Sequence, residues 1–294
     1  MRNLFFIPLI FLFSCGAGSP SKPLEKEVDV KMEITSTAQD SIIFNEMLQW
    51  WQVQSVDSST WSQLIPTVAS YWMGTPYVSN TLEKEGEEQL VVNLHEMDCT
   101  TYVEYVLAIS TILNVEEPTW DDFTQALVKI RYRNGEIDGY NSRLHYFTEW
   151  LQNKVENGTL ILISDSIGDS SLNSDVRFMS DNPQYYRQLK NDSSMVENVR
   201  QTEKAIAKYK MRQITKQKIP SIERYIKNGD IIALVSTVNG LDVSHVGFAQ
   251  FVGSRLHFLH ASTTTKQVEL TKIPLSDYLR ARPTVTGILV GRMR

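Results

Sequence analysis

The last quarter of the chain most constrains its fold. From Gly229 onward, "GDIIALVST", "SHVGFAQFVG", "RLHFLHAS", "KQVEL" and "VTGILVG" are short β-rich runs. Asn239-Gly240, Gly253-Ser254 and a threonine-rich turn separate them, and such punctuation predicts an antiparallel meander. His245 begins one of these strands and His260 ends the next. If the two pair as a hairpin around "GSR", strand start and strand end fall at the same sheet edge.

The chain before the meander reads as helix. Residues 40–73 carry helical apolar spacing with four tryptophans, and "GTPY" (Gly74 to Tyr77) ends the pattern as a turn. A helix is predicted over 99–113: Val103, Val106 and Leu107 follow the i, i+3, i+4 rule, and Asp98 sits at the N-cap position. "TWDDFTQALVKIRYRNG" predicts a second, capped by Thr119 with Gly135 past its end, and "NSRLHYFTEWLQNKVENG" a third. "VENVRQTEKAIAKYKMRQI" predicts another, with a stop at Pro220. Helices first and strands last define an α+β domain. The expected organisation is a single domain over 39–294, with a polar and mostly helical insertion around 164–220.

Of the 294 residues 42% are hydrophobic and 21% charged, enough for one large core. A net charge of −5 excludes a non-specific nucleic-acid binder, so no nucleic-acid partner is expected. The first segment, "MRNLFFIPLIFLFSCGAGSP", has a short positive start at Arg2 and an apolar stretch from Leu4 to Phe13, the pattern of an export signal. Its "LFSC" resembles a bacterial lipobox, which implies a signal peptide over 1–14 and a lipidated Cys15. A flexible tether over 15–38 then leads to the domain, which is expected to face the periplasm from its membrane anchor.

Lipidation of Cys15 leaves Cys99 without a partner. An unpaired cysteine in an exported protein is either a small buried hydrophobe or a reactive thiol. Its position at a helix N-terminus favours the thiolate through the helix dipole, by about one unit of pKa. A thiol of ordinary pKa still needs a base, and histidine suits that task. The five histidines are His95, His145, His245, His257 and His260. His95 reads as a solvated loop residue, while His257 and His260 alternate on one strand and point to opposite faces. A zinc site from Cys99, His245 and His260 lacks characteristic spacing. His245 and His260 can meet at the sheet edge, one as base and the other as its orienter, where Ser244 and neighbouring small residues leave room for a substrate. A helix through "SRLHYFTEW" would place Arg143, Phe147 and Trp150 on one face. Arg143 and His145 at its beginning are candidates to bind a substrate carboxylate or sugar oxygen.

"GTPY", "DCTTYVEYVL", "SHVGF" and "LHAS", in that order, resemble the NlpC-type (papain-like) cell-wall cysteine hydrolases. "TLE", "DCTTYVE", "SRLHYFTEW", "GDIIALVST" and "GLDVSHVGF" are similar to the N-acetylmuramoyl-L-alanine amidase-like branch, from about Trp72 to the C-terminus. The superfamily's common Asp-Cys-Ser-Gly is Asp-Cys-Thr-Thr here, which weakens any transfer of endopeptidase specificity. The resemblance implies a papain-like α+β fold, with Cys99 as nucleophile, His245 as general base and acid, and His260 as the residue that orients His245. It also implies that Tyr77 stands beside the sulfur, where its hydroxyl polarises the scissile carbonyl. The implied substrate is peptidoglycan or a muropeptide, cut at the muramoyl–L-alanine bond by a monomer using no metal and no cofactor. Two alternatives remain at this level: a γ-D-glutamyl endopeptidase of the same superfamily, and a non-catalytic peptidoglycan-binding lipoprotein.

Overall fold

A helix that is apolar on every side must be surrounded, and the segment after Cys99 is such a helix. In the computed structural model, which describes residues 33–173 and 175–294, this helix forms the centre of the domain. The export signal, Cys15 and the tether up to residue 32 lie outside the described residues. Glu33–Arg294 form one compact unit.

The helices in chain order are α1 (Ala38–Gln52), α2 (Trp61–Tyr71), α3 (Cys99–Ile112), α4 (Trp120–Arg131), α5 (Phe147–Glu156), α6 (Ile163–Ile167), α7 (Phe178–Asp181), α8 (Ser193–Ile206), α9 (Ile219–Ile222) and α10 (Leu275–Arg280). The strands are β1 (Ile34–Thr35), β2 (Leu90–Val91), β3 (Leu160–Leu162), β4 (Ser170–Ser171), β5 (Arg212–Thr215), β6 (Ile231–Ser236), β7 (Val243–Val252), β8 (Arg255–Ser262), β9 (Gln267–Leu270) and β10 (Val285–Met293). The main sheet runs β4-β5-β10-β6-β7-β8-β9, with β3 also on β10. Its pairings are antiparallel, so the mixed α+β class and the antiparallel sheet agree with the sequence reading. The meander is β6 to β9. The last strand returns to pair on the far side of β6.

Both faces of this sheet are covered. Tyr102 of α3 meets Phe248 of β7 edge-on, at 5.7 Å between ring centroids. The next residue, Ala249, points the other way, into a cluster with Ile232, Leu234, Phe258, Leu275 of α10 and Ile222 of α9. Helix α3 packs across β7 and β8 on one side and against α2 and α4 on the other. Its start is fixed as the sequence predicts: Asp98 Oδ1 accepts the Thr101 N–H at 2.8 Å, and Thr101 Oγ1 accepts the Asp98 N–H at 2.9 Å. Thr119 and Asp122 form the same reciprocal cap on α4.

Several expectations are corrected. Helix α4 stops at Arg131, because Tyr132 turns extended and bridges Arg143. The third helix begins only at Phe147; Arg143 precedes it in extended backbone after a 3-10 turn over Tyr140–Ser142, so it does not share a helical face with Phe147 and Trp150. The stretch 164–220 is not mostly helical. Its Arg212–Thr215, of which Arg212–Ile214 read as a helix tail, is β5, paired with β10 and β4. Pro220 sits in the first turn of α9, where its missing N–H costs nothing, and so starts a helix instead of stopping one. Ile34 and Thr35 pair with Leu90 and Val91, and Thr37 caps α1, so the domain begins before residue 39.

One buried ion pair ties α3 to α4. Arg131 Nε donates to Glu104 Oε2 at 2.7 Å and its Nη1 to the Val91 carbonyl at 2.6 Å, with both side chains at most 2% exposed. Removing one partner strands a charge in the core, which costs about 3–5 kcal/mol. Glu104→Ala is expected to lower the urea midpoint by that amount of stability. A loss below about 1 kcal/mol contradicts a charged, buried pair.

Candidate active site

Cys99 lines a small cavity of about 150 Å³ at the N-terminus of α3. Cys99, Thr100, Ser244, His245 and Val246 line it together with His145, Phe147, Met179, Tyr186 and Asp242. The structure therefore brings together Cys99, His245, Ser244 and His145 of the residues singled out in the sequence. A larger cavity of about 640 Å³ lies near the C-terminal ends of α3 and α5, and no cysteine or histidine lines it.

His245 and His260 meet as the hairpin predicts. The β7–β8 register pairs Phe248 with Leu259, and its extension sets His245 diagonal to His260 on one face. His245 Nε2 lies 2.6 Å from His260 Nδ1, with the rings at 87°. Gly247 makes this possible. A Cβ at Gly247 would stand 2.5 Å from the Leu259 carbonyl oxygen and 2.8 Å from the His260 Cβ. Phe258 stacks on His260 at 4.6 Å between ring centroids, and Tyr278 meets it edge-on at 5.6 Å. His257, on the opposite face, bonds the Thr271 carbonyl through Nδ1 at 2.7 Å. His95 is held by Asp40.

Burial dominates the electrostatics. It pushes the Cys99 thiol up to about 12, and the Asp98 charge adds to this. The Val246 N–H, the Thr100 hydroxyl and the Cys99 N–H itself favour the thiolate without reversing the shift. The lowered thiol pKa expected from the helix dipole is thus overturned, because desolvation outweighs one helix end. Burial, with the Arg282 cation, holds His245 down to about 4. Burial, His245 and Arg282 hold His260 lower still. Thiol and imidazoles are all neutral near pH 7.

Burial, with smaller contributions from neighbouring Cys99 and Asp98, disfavours the Tyr77 phenolate, but Tyr77 does not line the cavity. The "GTPY" segment is a strap: Gly74 and Tyr77 donate N–H groups to the Val268 and Lys266 carbonyls at β9, while the Val78 N–H donates to the Met97 carbonyl and the Met97 N–H to the Pro76 carbonyl, just before Asp98. Gly74 takes φ +86° at its start, a conformation that suits glycine. Arg143 is absent from the lining. It is 5% exposed, with Nη2 at 3.0 Å from Glu83 and Nε at 3.3 Å from Glu88, so its charge is spent within the protein and does not face a substrate. His145 does face the cavity; its Nε2–H donates to the Tyr140 carbonyl at 2.9 Å, and burial with the Arg143 charge lowers it to about 3.

Sequence reasoning missed Asp242. It is buried in the cavity wall, and its carboxylate accepts the Thr148 N–H and hydroxyl at 2.8 and 2.7 Å and the Val243 N–H at 2.7 Å. It thereby fastens the start of α5 to the start of β7. The signal was only its place three residues before His245; its partner Thr148 lies 94 positions away. Among the described residues no group of three or more His, Cys, Asp or Glu is arranged to hold a metal ion.

The architecture is a mixed α/β domain with an antiparallel sheet and, at one helix end, a cavity lined by both Cys99 and His245. Residues 67–288 match the AmiA-like family, described as N-acetylmuramoyl-L-alanine amidase-like, and the chain belongs to that family. It is similar to an N-acetylmuramoyl-L-alanine amidase of Bacteroides uniformis, at 39% identity over 79% of this chain and 98% of that one, with a TM-score of 0.76. A Bacteroides fragilis protein described as a candidate xylanase is 40% identical over 77% of this chain and 99% of that one (TM-score 0.74). A Legionella pneumophila protein at 22% identity, covering 87% and 94%, shares the fold at a TM-score of 0.64. No relative with a curated description matches the chain.

Two outcomes follow. The three depressed histidines bind fewer protons folded than unfolded, so their stabilising contribution is complete above about pH 6.5 and is lost as pH falls toward about 4 for His245 and 3 for His145. Because buried carboxyl groups such as Glu104 and Asp242 are shifted up and act in the opposite direction, the test is a difference: the stability advantage of wild type over His145→Asn is expected to shrink between pH 7 and 4.5, and a pH-independent difference contradicts a neutral His145 ring. Gly247→Ala is expected to separate the imidazoles and cost tenfold or more in activity (about 1.4 kcal/mol), and a fully active variant would show that the close approach is not needed.

Proposed function

We propose that the chain is a cysteine-dependent amidase that cleaves the bond between the lactyl group of N-acetylmuramic acid and L-alanine, in peptidoglycan or its muropeptide fragments. The observation that carries this reading is the shared cavity of Cys99 and His245, with His260 2.6 Å behind, in a member of the amidase-like family. The NlpC-type, papain-like placement belongs to the same reading.

His245 Nε2 is engaged with His260, so Nδ1 is the nitrogen left for the thiol. Because both groups rest neutral, attack and proton transfer are coupled: the S–H proton passes to His245 Nδ1 as sulfur bonds to the lactyl carbonyl carbon. The Cys99 N–H is the donor for the oxyanion; Tyr77, outside the cavity lining, is not assigned that role. The carbon–nitrogen bond breaks as His245 returns the proton to the L-alanine amine, and the stem peptide leaves. Water, deprotonated by His245, then attacks the thioester, and the sulfur departs with the proton. Ser244 and His145 offer polar contacts to the sugar and the lactyl group. Lipidated Cys15 holds the domain, as a monomer, on the periplasmic side of a membrane.

Glycoside hydrolysis, which the name of the Bacteroides fragilis relative implies for that protein, fits the cavity poorly. It uses two carboxyl groups flanking the bond. Asp242 is the single carboxylate in the lining, and both its oxygens are committed to N–H and hydroxyl donors.

Cys99→Ala is expected to lower kcat by about 10⁴-fold or more, iodoacetamide to inactivate the enzyme, and EDTA to leave it unaffected. Mass spectrometry of a digested disaccharide-tetrapeptide should show free disaccharide and intact peptide. A shortened peptide still on the sugar would indicate the γ-D-glutamyl endopeptidase instead, and an active Cys99→Ala would end the thiol mechanism.

A further inference from the structure

We propose that Glu269 is a positioning residue for the imidazole pair: from the neighbouring strand, its carboxylate selects the tautomer in which His245 offers a lone pair to the Cys99 thiol. This inference rests on the amidase reading above.

A bond between two neutral imidazoles needs one N–H and one lone pair, and the His245 Nε2–His260 Nδ1 contact at 2.6 Å admits two arrangements. In one, His245 carries its proton on Nε2, so its Nδ1 is bare and able to take the thiol proton. His260 then has a bare Nδ1 and an N–H at Nε2. In the other, His260 donates from Nδ1, His245 carries its proton on Nδ1, and that nitrogen cannot act as base. The two arrangements differ at one distant atom: His260 Nε2 is a donor in the first and an acceptor in the second.

That atom is buried, in a side chain 1% exposed, and has no hydrogen-bond partner. The group facing it is a carboxylate, with Glu269 Oε1 at 3.9 Å. A carboxylate accepts and does not donate, so it stabilises the arrangement with a proton on His260 Nε2, which is the catalytically competent one. The β8–β9 register sets Glu269 directly opposite His260. With 19% of its side chain exposed, Glu269 has room to rotate and close the gap. The other neighbours of His260 do not compete. Phe258 covers one ring face, and Tyr278 of α10 meets the ring edge-on while stacking on Arg282 at 3.5 Å from its ring centroid. Arg282 disfavours positive charge on both imidazoles, and Glu269 opposes it when His245 is protonated during turnover.

The test compares Glu269→Ala and Glu269→Gln with wild type on a purified disaccharide-tetrapeptide, beside Cys99→Ala. Glu269→Ala is expected to lose ten- to a hundredfold in kcat, as when a group orienting a functional histidine is removed. KM should stay within twofold, since Glu269 does not line the cavity. Glu269→Gln keeps an acceptor and should recover kcat to within about threefold. In both variants the acid limb of kcat/KM should move to lower pH, because the lost negative charge no longer supports the His245 imidazolium facing Arg282, Tyr278 and His260. Imidazole ¹⁵N spectra should show His260 protonated at Nε2 in wild type and a tautomer mixture in Glu269→Ala. An Ala variant with kcat within twofold of wild type, a Gln variant as impaired as Ala with an unmoved acid limb, or wild-type His260 protonated at Nδ1 would each overturn the proposal. Failure of the amidase reading is seen separately, as activity in Cys99→Ala, and leaves the ¹⁵N result interpretable.

Discussion

Desolvation around the tip of α3 is the constraint on which the site depends. The helix is packed against β7 and β8 and against α2 and α4, so Cys99 at its tip borders packed protein and a small cavity. The same burial favours the neutral thiol and neutral imidazoles. In that environment a charged thiolate–imidazolium pair is not a resting state. Proton movement must be coupled to bond formation, and every donor and lone pair has to be placed in advance.

The rest of the fold performs that placement. The capping pair of Asp98 and Thr101 fixes where α3 begins. Gly247 lets two rings cross a strand pair at a distance no side chain would allow. The strap around Pro76 covers the β9 edge and joins it to the residues leading into Asp98, so an otherwise open strand becomes part of the site. Asp242 joins the start of α5 to the start of β7, which brings His145 and Phe147 to the same cavity as His245. Met179 and Tyr186, from the long polar stretch after β3, complete the wall.

Much of this was legible in the residues. An Asp-Cys pair before an apolar run announced a capped, buried helix, and two histidines fifteen positions apart around a Gly-Ser turn announced a diagonal meeting across a hairpin. What was not legible depended on distance in sequence or on solvent. The helix end argued for a depressed thiol pKa, but the enclosing sheet, far along the chain, reversed its sign. Arg143 lay in a helical pattern, yet Glu83 and Glu88, more than fifty residues earlier, drew it into an ion pair within extended backbone. Arg212–Thr215 carries no strand pattern of its own and becomes one because β10 offers it an edge.

The measurement that bears most directly on the central claim is the mass of the covalent intermediate. A disaccharide-tetrapeptide is mixed with enzyme, quenched in acid within one turnover, and the protein is weighed and digested. The account predicts that Cys99 carries the disaccharide acyl group through the lactyl carbonyl, as a thioester, with the stem peptide already released. An adduct retaining L-alanine and D-glutamate, or a protein that turns over normally with nothing ever attached to Cys99, would contradict it.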